Sequence, residues 1–225
     1  MTARKSFESK PRKHRILLVD DHAIVREGFM EIINSMPDLQ VCGQAGTVGK
    51  TIDAVSRLKP DAVVVDLSLQ GGSGLELIKD LKALHPRLPM LVLSMHDEAL
   101  YAERALRAGA LGYVMKREEA GTVMRAMRSV LRGEVYVSES MRGRMLHKLV
   151  GRAKEIRGKG VKGFSDRELE IFQMIGEGLT TRQVAQKLHV SVSTVETHRA
   201  HLKEKLNLRN GAELMRAAVE WVAQN

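Results

Sequence analysis

Ala62-Val63-Val64-Val65-Asp66-Leu67-Ser68-Leu69-Gln70-Gly71-Gly72-Ser73-Gly74 is the stretch that decides the fold. Four apolar β-formers run straight into a carboxylate, the pattern of a buried strand that delivers a charged group to its C-terminal end. In open α/β sheets that end is where ligands bind. Taken alone, Asp66 also reads as a turn aspartate or a helix N-cap. A second strand with the same ending favours the functional reading: Ile16-Leu17-Leu18-Val19 runs into Asp20-Asp21. Three carboxylates gathered at one sheet edge repel one another, and such a cluster implies a bound cation.

Working outward, strand and helix patterns alternate. Strand Ile16–Val19 precedes a helical stretch from His22 to Ser35. Strand Leu39–Gly43 precedes helix Thr47–Leu58, and strand Ala62–Val65 precedes helix Gly74–Leu84. Strand Pro89–Leu93 precedes helix Glu98–Ala108, and strand Leu111–Met115 precedes helix Glu118–Arg132. Such units with short connections predict a five-stranded parallel α/β sheet covered on both faces. Right-handed crossovers make it doubly wound, a domain of about 125 residues.

Each strand end but the second carries a polar residue: Asp20 and Asp21, Asp66, Ser94, and Lys116. In a doubly wound sheet these ends converge on one crevice. A nucleophilic carboxylate, a cation site, a hydroxyl donor and an ammonium together form an anion-transfer pocket. Lys116 alone would read as a solvated strand-end lysine; the coincidence of all five is harder to set aside.

At these residues the sequence resembles the receiver domain of bacterial two-component response regulators. The matching stretches are Ile16-Leu17-Leu18-Val19-Asp20-Asp21-His22, Asp66-Leu67 with Gly74-Leu75-Glu76 beyond, Leu93-Ser94, and Gly112-Tyr113-Val114-Met115-Lys116. The resemblance covers about residues 14–135 and implies a flavodoxin-like fold. It implies Asp66 as phospho-acceptor. It also implies Mg²⁺ held by Asp21, Asp66 and the Ser68 carbonyl, with Asp20 acting largely through water. Ser94 and Lys116 would bind the incoming phosphoryl oxygens, and Ser94 and Tyr113 would be the switch residues. Two residues depart from the family pattern. Gln70 stands where many relatives have proline, which leaves the loop after Asp66 less stiff, and Arg117 stands where many receivers have one, so no cis X-Pro bond sets the approach of Lys116; both bear on how long a phosphoryl group lasts. Gly46-Thr47-Val48-Gly49-Lys50-Thr51 imitates a phosphate-binding loop, but Gln44 stands where that motif needs its first glycine.

From Glu139 to Lys162 the chain carries eight Lys or Arg residues. Met141, Met145, Leu146 and Leu149 suggest a short helix; glycines from Gly151 onward then predict a flexible linker, placed with its approach at 136–162. Four short helical patterns follow. Ser165 with Glu168 forms a capping box for a helix through Ile175, ended by Gly176 and Gly178. Thr181 is read as the cap of a second helix and Ser193 as the cap of a third, with Val190-Ser191-Val192 as the turn. Asn210 caps the last, which carries Leu214, Ala218, Trp221 and Val222. A short helix, a tight turn and a longer polar-faced helix make a helix-turn-helix.

Residues 163–225 resemble the DNA-binding domain of the NarL/FixJ (LuxR-type) regulators, on Ser165-x-Arg167-Glu168, Ile175-x-x-Gly178, Val184-Ala185-x-x-Leu188, Ser191-x-x-Thr194-Val195-Glu196-x-His198 and Lys205-Leu206. The recognition helix would be Ser193–Leu206. Thr194, Glu196, Thr197 and Arg199 would reach base edges or phosphates, and Lys203 and Lys205 phosphates. His198 and His201, spaced i and i+3, lack a third metal ligand nearby, and His198 reads as a packing residue.

Charge agrees with this division. Residues 1–140 hold 20 Lys+Arg against 18 Asp+Glu, whereas residues 141–225 hold 16 against 9. The positive excess in the C-terminal third points to an anionic partner, most often nucleic acid. The single cysteine, Cys42, precludes an intramolecular disulfide and suits a reducing cytoplasm. No apolar run approaches a membrane span, and Met1 to Lys13 reads as a basic, disordered tail. The expectation is a cytoplasmic response regulator, not an enzyme beyond self-dephosphorylation. A sensor histidine kinase would phosphorylate it on Asp66; it would then bind double-stranded DNA, as a homodimer when phosphorylated or DNA-bound. The rivals are a constitutive DNA-binding factor with an unused receiver, and an aspartate-dependent phosphatase, which needs an aspartate where Ser68 stands.

Overall fold

The computed structural model describes residues 12–69, 72–149 and 161–224. The basic tail, Gln70 and most of the glycine-rich linker expected from sequence lie outside the described residues. Five strands, β1 (His14–Val19), β2 (Leu39–Ala45), β3 (Ala62–Val65), β4 (Met90–Ser94) and β5 (Gly112–Met115), form one parallel sheet in the order β2-β1-β3-β4-β5. Helices α1 (Ala23–Asn34), α2 (Val48–Leu58), α3 (Gly74–Leu84), α4 (Glu98–Ala108) and α5 (Ala120–Leu131) connect and follow them. This is the doubly wound order expected from the alternating pattern.

The strands read as continuous apolar runs because both faces are buried, and alternate residues serve opposite faces. Ile16, Leu18, Ala62, Val64, Leu91, Leu93 and Val114 pack with Ile33 of α1 and with Val123, Met124, Met127 and Val130 of α5. Leu17, Val19, Val63, Val65, Met90, Val92 and Tyr113 pack on the other face with α2, α3 and α4. The register fixes what emerges at the C-terminal edge. Val19 pairs with Val65, Val65 with Val92, and Ser94 with Met115. Asp20 and Asp66 therefore leave neighbouring strands side by side, with Ser94 and Lys116 on the next two.

Two features were not read from the sequence. Ser68–Leu69 and Gly72–Ser73 pair as a short antiparallel hairpin after Asp66. Tyr136, assigned to the start of the linker, lies along the outer edge of β5. The Tyr113 N–H donates to the Tyr136 carbonyl and the Tyr136 N–H to the Leu111 carbonyl, each over 2.9 Å. Val137 and Met141 are buried, and α6 (Glu139–Leu149) contacts α4. This first part of the linker thus covers an otherwise open sheet edge.

Four helices complete the chain: α7 (Asp166–Gly176), α8 (Thr181–Lys187), α9 (Val192–Leu206) and α10 (Gly211–Ala223). The Ser165–Glu168 capping box and the Asn210 cap form as expected. Two other caps fall earlier than the sequence reading placed them. Thr180, not Thr181, caps α8 and shares a capping box with Gln183; Ser191, not Ser193, caps α9 and accepts from the Thr194 N–H. Both sites offer two hydroxyl residues close together, and only the backbone conformation selects between them. Gly176 ends α7, as expected. It is the helix's last residue, and a Cβ there would lie 2.4 Å from the Ala218 carbonyl oxygen of α10. Gly178, with φ +87°, makes the turn beyond it. Among the described residues, no helix is long and apolar enough to cross a membrane.

Candidate functional site

The strand-end residues converge as the register requires. Lys116 Nζ lies 2.6 Å from Asp66 Oδ2 and 2.5 Å from Asp20 Oδ2. Asp66 is 3% exposed and Ser94 wholly buried. The helix after the hairpin crowds this corner: a Cβ on Gly74 would sit 2.4 Å from the Asp66 carbonyl oxygen, so only glycine lets α3 start here. Two residues that sequence reasoning did not assign brace Asp20. The Arg26 guanidinium donates to its backbone carbonyl over 2.5 Å, and the His22 N–H donates to its Oδ1 over 2.8 Å. His22, adjacent in the Asp-Asp-His run, was legible as a neighbour but carried no spacing signal of its own.

Burial pushes the Asp66 carboxyl above its usual range. Lys116 works against that shift, and Asp20 adds to it. Burial works to lower the Lys116 ammonium, but Asp66 and Asp20 outweigh it and hold it protonated. One cation thus shares two buried carboxylates, with Asp21 a third beside them. Asp66 Oδ1 is buried without a hydrogen-bond partner. Asp21 Oδ1 is also buried, with the His22 Nδ1 2.7 Å away. Ligand atoms of Asp20, Asp21, His22 and Asp66 all lie within 4.8 Å of one another. An orphaned carboxylate oxygen amid excess negative charge is what a hard divalent cation would satisfy, so the donor set fits a metal ion.

Tyr113 points inward rather than to solvent. Its hydroxyl donates to the His96 carbonyl over 2.8 Å, and burial raises its pKa.

On α9 the expected base-reading residues divide. Glu196 and Thr197 are exposed, the latter with its hydroxyl on the Ser193 carbonyl. Thr194 is half-buried and joins the Ser191 cap. The Arg199 side chain is only 16% exposed, 3.7 Å from Glu196. Lys203 is half-buried. Lys205 is engaged: its ammonium donates to Glu168 Oε2 over 2.6 Å and to the Gly163 carbonyl over 3.0 Å, tying α9 to the start of α7. His198 has a buried, unpartnered Nδ1; its ring meets His201 edge-on at 6.4 Å. In α10, Leu214 is fully buried, Trp221 packs against Phe172 and Val222 lies near Gly176. The apolar residues read from sequence on this last helix are thus largely spent inside the domain, leaving Met215 and Val219 exposed.

The two halves touch. Asp166 at the start of α7 receives Lys79 of α3 over 2.9 Å and Arg104 of α4 over 2.8 Å. Arg104 also donates to the Phe164 carbonyl, and the Tyr101 hydroxyl donates to Gln173 Oε1 of α7.

Known proteins share both halves. The response regulator receiver domain family matches residues 16–128, and the family of bacterial regulatory proteins, luxR family, matches residues 162–218. The chain is 35% identical to the oxygen regulatory protein NreC of Staphylococcus haemolyticus over 210 residues, 92% of this chain and 97% of that protein. It is similar to a solved LuxR-family two-component response regulator from an Aurantimonas species, with TM-score 0.58 and 32% identity over 62% of this chain and 99% of that one. It is also similar to the response regulator RcsB of Salmonella typhimurium, with TM-score 0.57 and 25% identity over 91% of this chain and 97% of that one.

Proposed function

The chain belongs to the two-component response regulators that join a receiver domain to a LuxR-type DNA-binding domain, and on that premise we propose that Asp66 is the phospho-acceptor through which it is controlled. It is a DNA-binding transcription regulator whose partners are a sensor histidine kinase and duplex DNA. The observation that carries the assignment of Asp66 is its setting: a buried strand-end carboxylate with one oxygen on Lys116 and the other without a partner.

The Asp66 carboxylate attacks the phosphorus of the kinase phosphohistidine through one of its oxygens. A new P–O bond forms, the P–N bond breaks, and its electron pair leaves on the kinase imidazole, which takes a proton from water. Lys116, already within 2.6 Å of Asp66, pairs with the phosphoryl oxygens as the carboxylate loses its charge. The Ser94 hydroxyl donates to another. Mg²⁺, held by Asp20, Asp21, Asp66 and the Ser68 carbonyl, would offset the repulsion between the acidic cluster and the incoming phosphoryl group. The phosphatase rival lacks its acid, since the Ser68 hydroxyl is paired with His96. We assign no turnover beyond loss of the protein's own phosphoryl group, and a cytoplasmic location beside the kinase output.

In the resting chain α7 is docked on α3 and α4. Phosphorylation favours release, and the freed domains pair as a homodimer on DNA, with Met215 and Val219 of α10 available for the contact. With acetyl phosphate and Mg²⁺ the chain should gain one hydroxylamine-sensitive phosphoryl group, and Asp66→Asn should gain none. Undiminished labelling of that variant would overturn the assignment.

A further inference from the structure

His96 takes no part in the chemistry above, yet it touches Ser68, Ser94 and Tyr113 around it. It lies two residues past Ser94, in the loop before α4. Its backbone N–H donates to Ser94 Oγ over 3.3 Å, and its carbonyl accepts from Tyr113. Its ring Nε2 is 3.0 Å from the Ser68 hydroxyl, two residues past Asp66. The ring faces away from the sheet onto Tyr101, with centroids 4.6 Å apart and planes tilted by 34°. The Tyr101 hydroxyl in turn donates to Gln173 Oε1 over 3.1 Å. One imidazole therefore joins the loops around Asp66 to the first helix of the DNA-binding domain.

We propose that His96 is a positioning residue that couples phosphorylation of Asp66 to the docking of α7, through Ser68 and Ser94 on one side and Tyr101 and Gln173 on the other. The inference rests on Asp66 being the phospho-acceptor. Ser94 Oγ accepts from the His96 N–H and would donate its own proton to a phosphoryl oxygen, so a shift of Ser94 toward phosphorylated Asp66 draws on the His96 contact. With α7 docked, Gln173 and Tyr101 hold the His96 ring in place, and the ring holds Ser68. With Asp66 phosphorylated, Ser94 leaves His96, the loop shifts, and the ring no longer supports the Tyr101–Gln173 contact. Coupling of this kind is reciprocal: whatever weakens docking at Gln173 eases the change at Asp66 by the same factor. Gln173 reaches no reacting atom, so any effect it has on the chemistry is indirect, and the double variant with His96 shows whether it passes through this path.

The test uses the full chain with Mg²⁺ and acetyl phosphate, reading the steady-state extent of hydroxylamine-sensitive phosphorylation and the initial rate. Gln173→Ala is half-buried on a helix surface and leaves the receiver sequence intact. It should raise the apparent affinity for phosphorylation roughly five-fold or more, the lower end of ordinary coupling energies. His96→Ala should act in the same direction. The double variant should gain no more than the larger single effect, because both cut one path. His96→Asn, which keeps a side-chain partner for Ser68, should fall between His96→Ala and the parent. Parent-like phosphorylation of Gln173→Ala, or effects that multiply in the double variant, would overturn the coupling while leaving Asp66 as the acceptor. Labelling that survives Asp66→Asn would instead remove the reading beneath it.

Discussion

Lys116 Nζ lies 2.6 Å from Asp66 Oδ2 and serves Asp20 as well, so a single ammonium compensates two buried carboxylates. Replacing it leaves both without a counter-charge. Lys116→Met should destabilise the chain by about 3 kcal/mol at neutral pH, measured by urea denaturation. The pH dependence follows from the carboxyl shift. Asp66 is raised in the folded chain, so folding favours its protonated form and the stability this contributes is lost as pH rises through the raised value. The deficit of Lys116→Met should therefore shrink below the ordinary carboxylate range and be greatest above the raised pKa of Asp66. A deficit independent of pH would count against the charge argument.

The orphaned Asp66 oxygen gives a second expectation. Mg²⁺ should raise the melting temperature, and chelation should reverse it, because a ligand of the folded state alone stabilises by mass action. Asp21→Asn should remove most of this gain without preventing folding, as read by differential scanning calorimetry. An equal gain in that variant would place the ion elsewhere.

The domain contact has its own pH signature. Burial works to raise the Asp166 carboxyl, but hydrogen bonds from Lys79 and Arg104 outweigh it and hold it below the usual range. A carboxyl depressed by docking contributes above its ordinary pKa and is lost as pH falls through the depressed value. Small-angle scattering should show the chain expanding on acidification through that window, and at high salt. Arg104→Ala should weaken docking by about 2 kcal/mol, in line with hydrogen bonds to charged groups. A radius of gyration that ignores both changes would contradict the contact.

DNA binding should weaken steeply with salt, since Lys and Arg displace phosphate counterions. Glu196, 57% exposed on α9, should alter sequence preference when changed to alanine more than it alters affinity. Lys205→Ala should also weaken binding to every sequence. It is expected to cost stability too, about 1 kcal/mol, because its ammonium holds the buried Glu168. Lys203→Ala separates the two effects. Mobility shifts across a salt series, paired with melting curves, would show it; a flat salt response would contradict the phosphate reading.

The sheet and its acidic C-terminal edge were legible because they rest on period and register. An apolar run ending in Asp20-Asp21, another ending in Asp66, and Ser94 and Lys116 at later strand ends can converge only one way in a parallel doubly wound sheet. Helix caps were less legible where hydroxyl residues stood close together, as at Thr180-Thr181 and Ser191-Val192-Ser193. Gly176 was legible as a helix end, but the Ala218 carbonyl that needs the space of its missing side chain was not. Lys205 looked like a free cation because Glu168 is 37 residues away along the chain. His96 and Gln173 carried no local signal at all, since their roles come from two domains meeting.

The central claim is that Asp66 and no other carboxylate of the cluster takes the phosphoryl group. Borohydride reduction of the phosphorylated chain converts an aspartyl phosphate to homoserine, which peptide mass spectrometry locates. Homoserine should appear at position 66 alone, and only in samples that received both phosphodonor and Mg²⁺. Homoserine at position 20 or 21, or none in a chain that carries hydroxylamine-sensitive phosphate, would contradict the account.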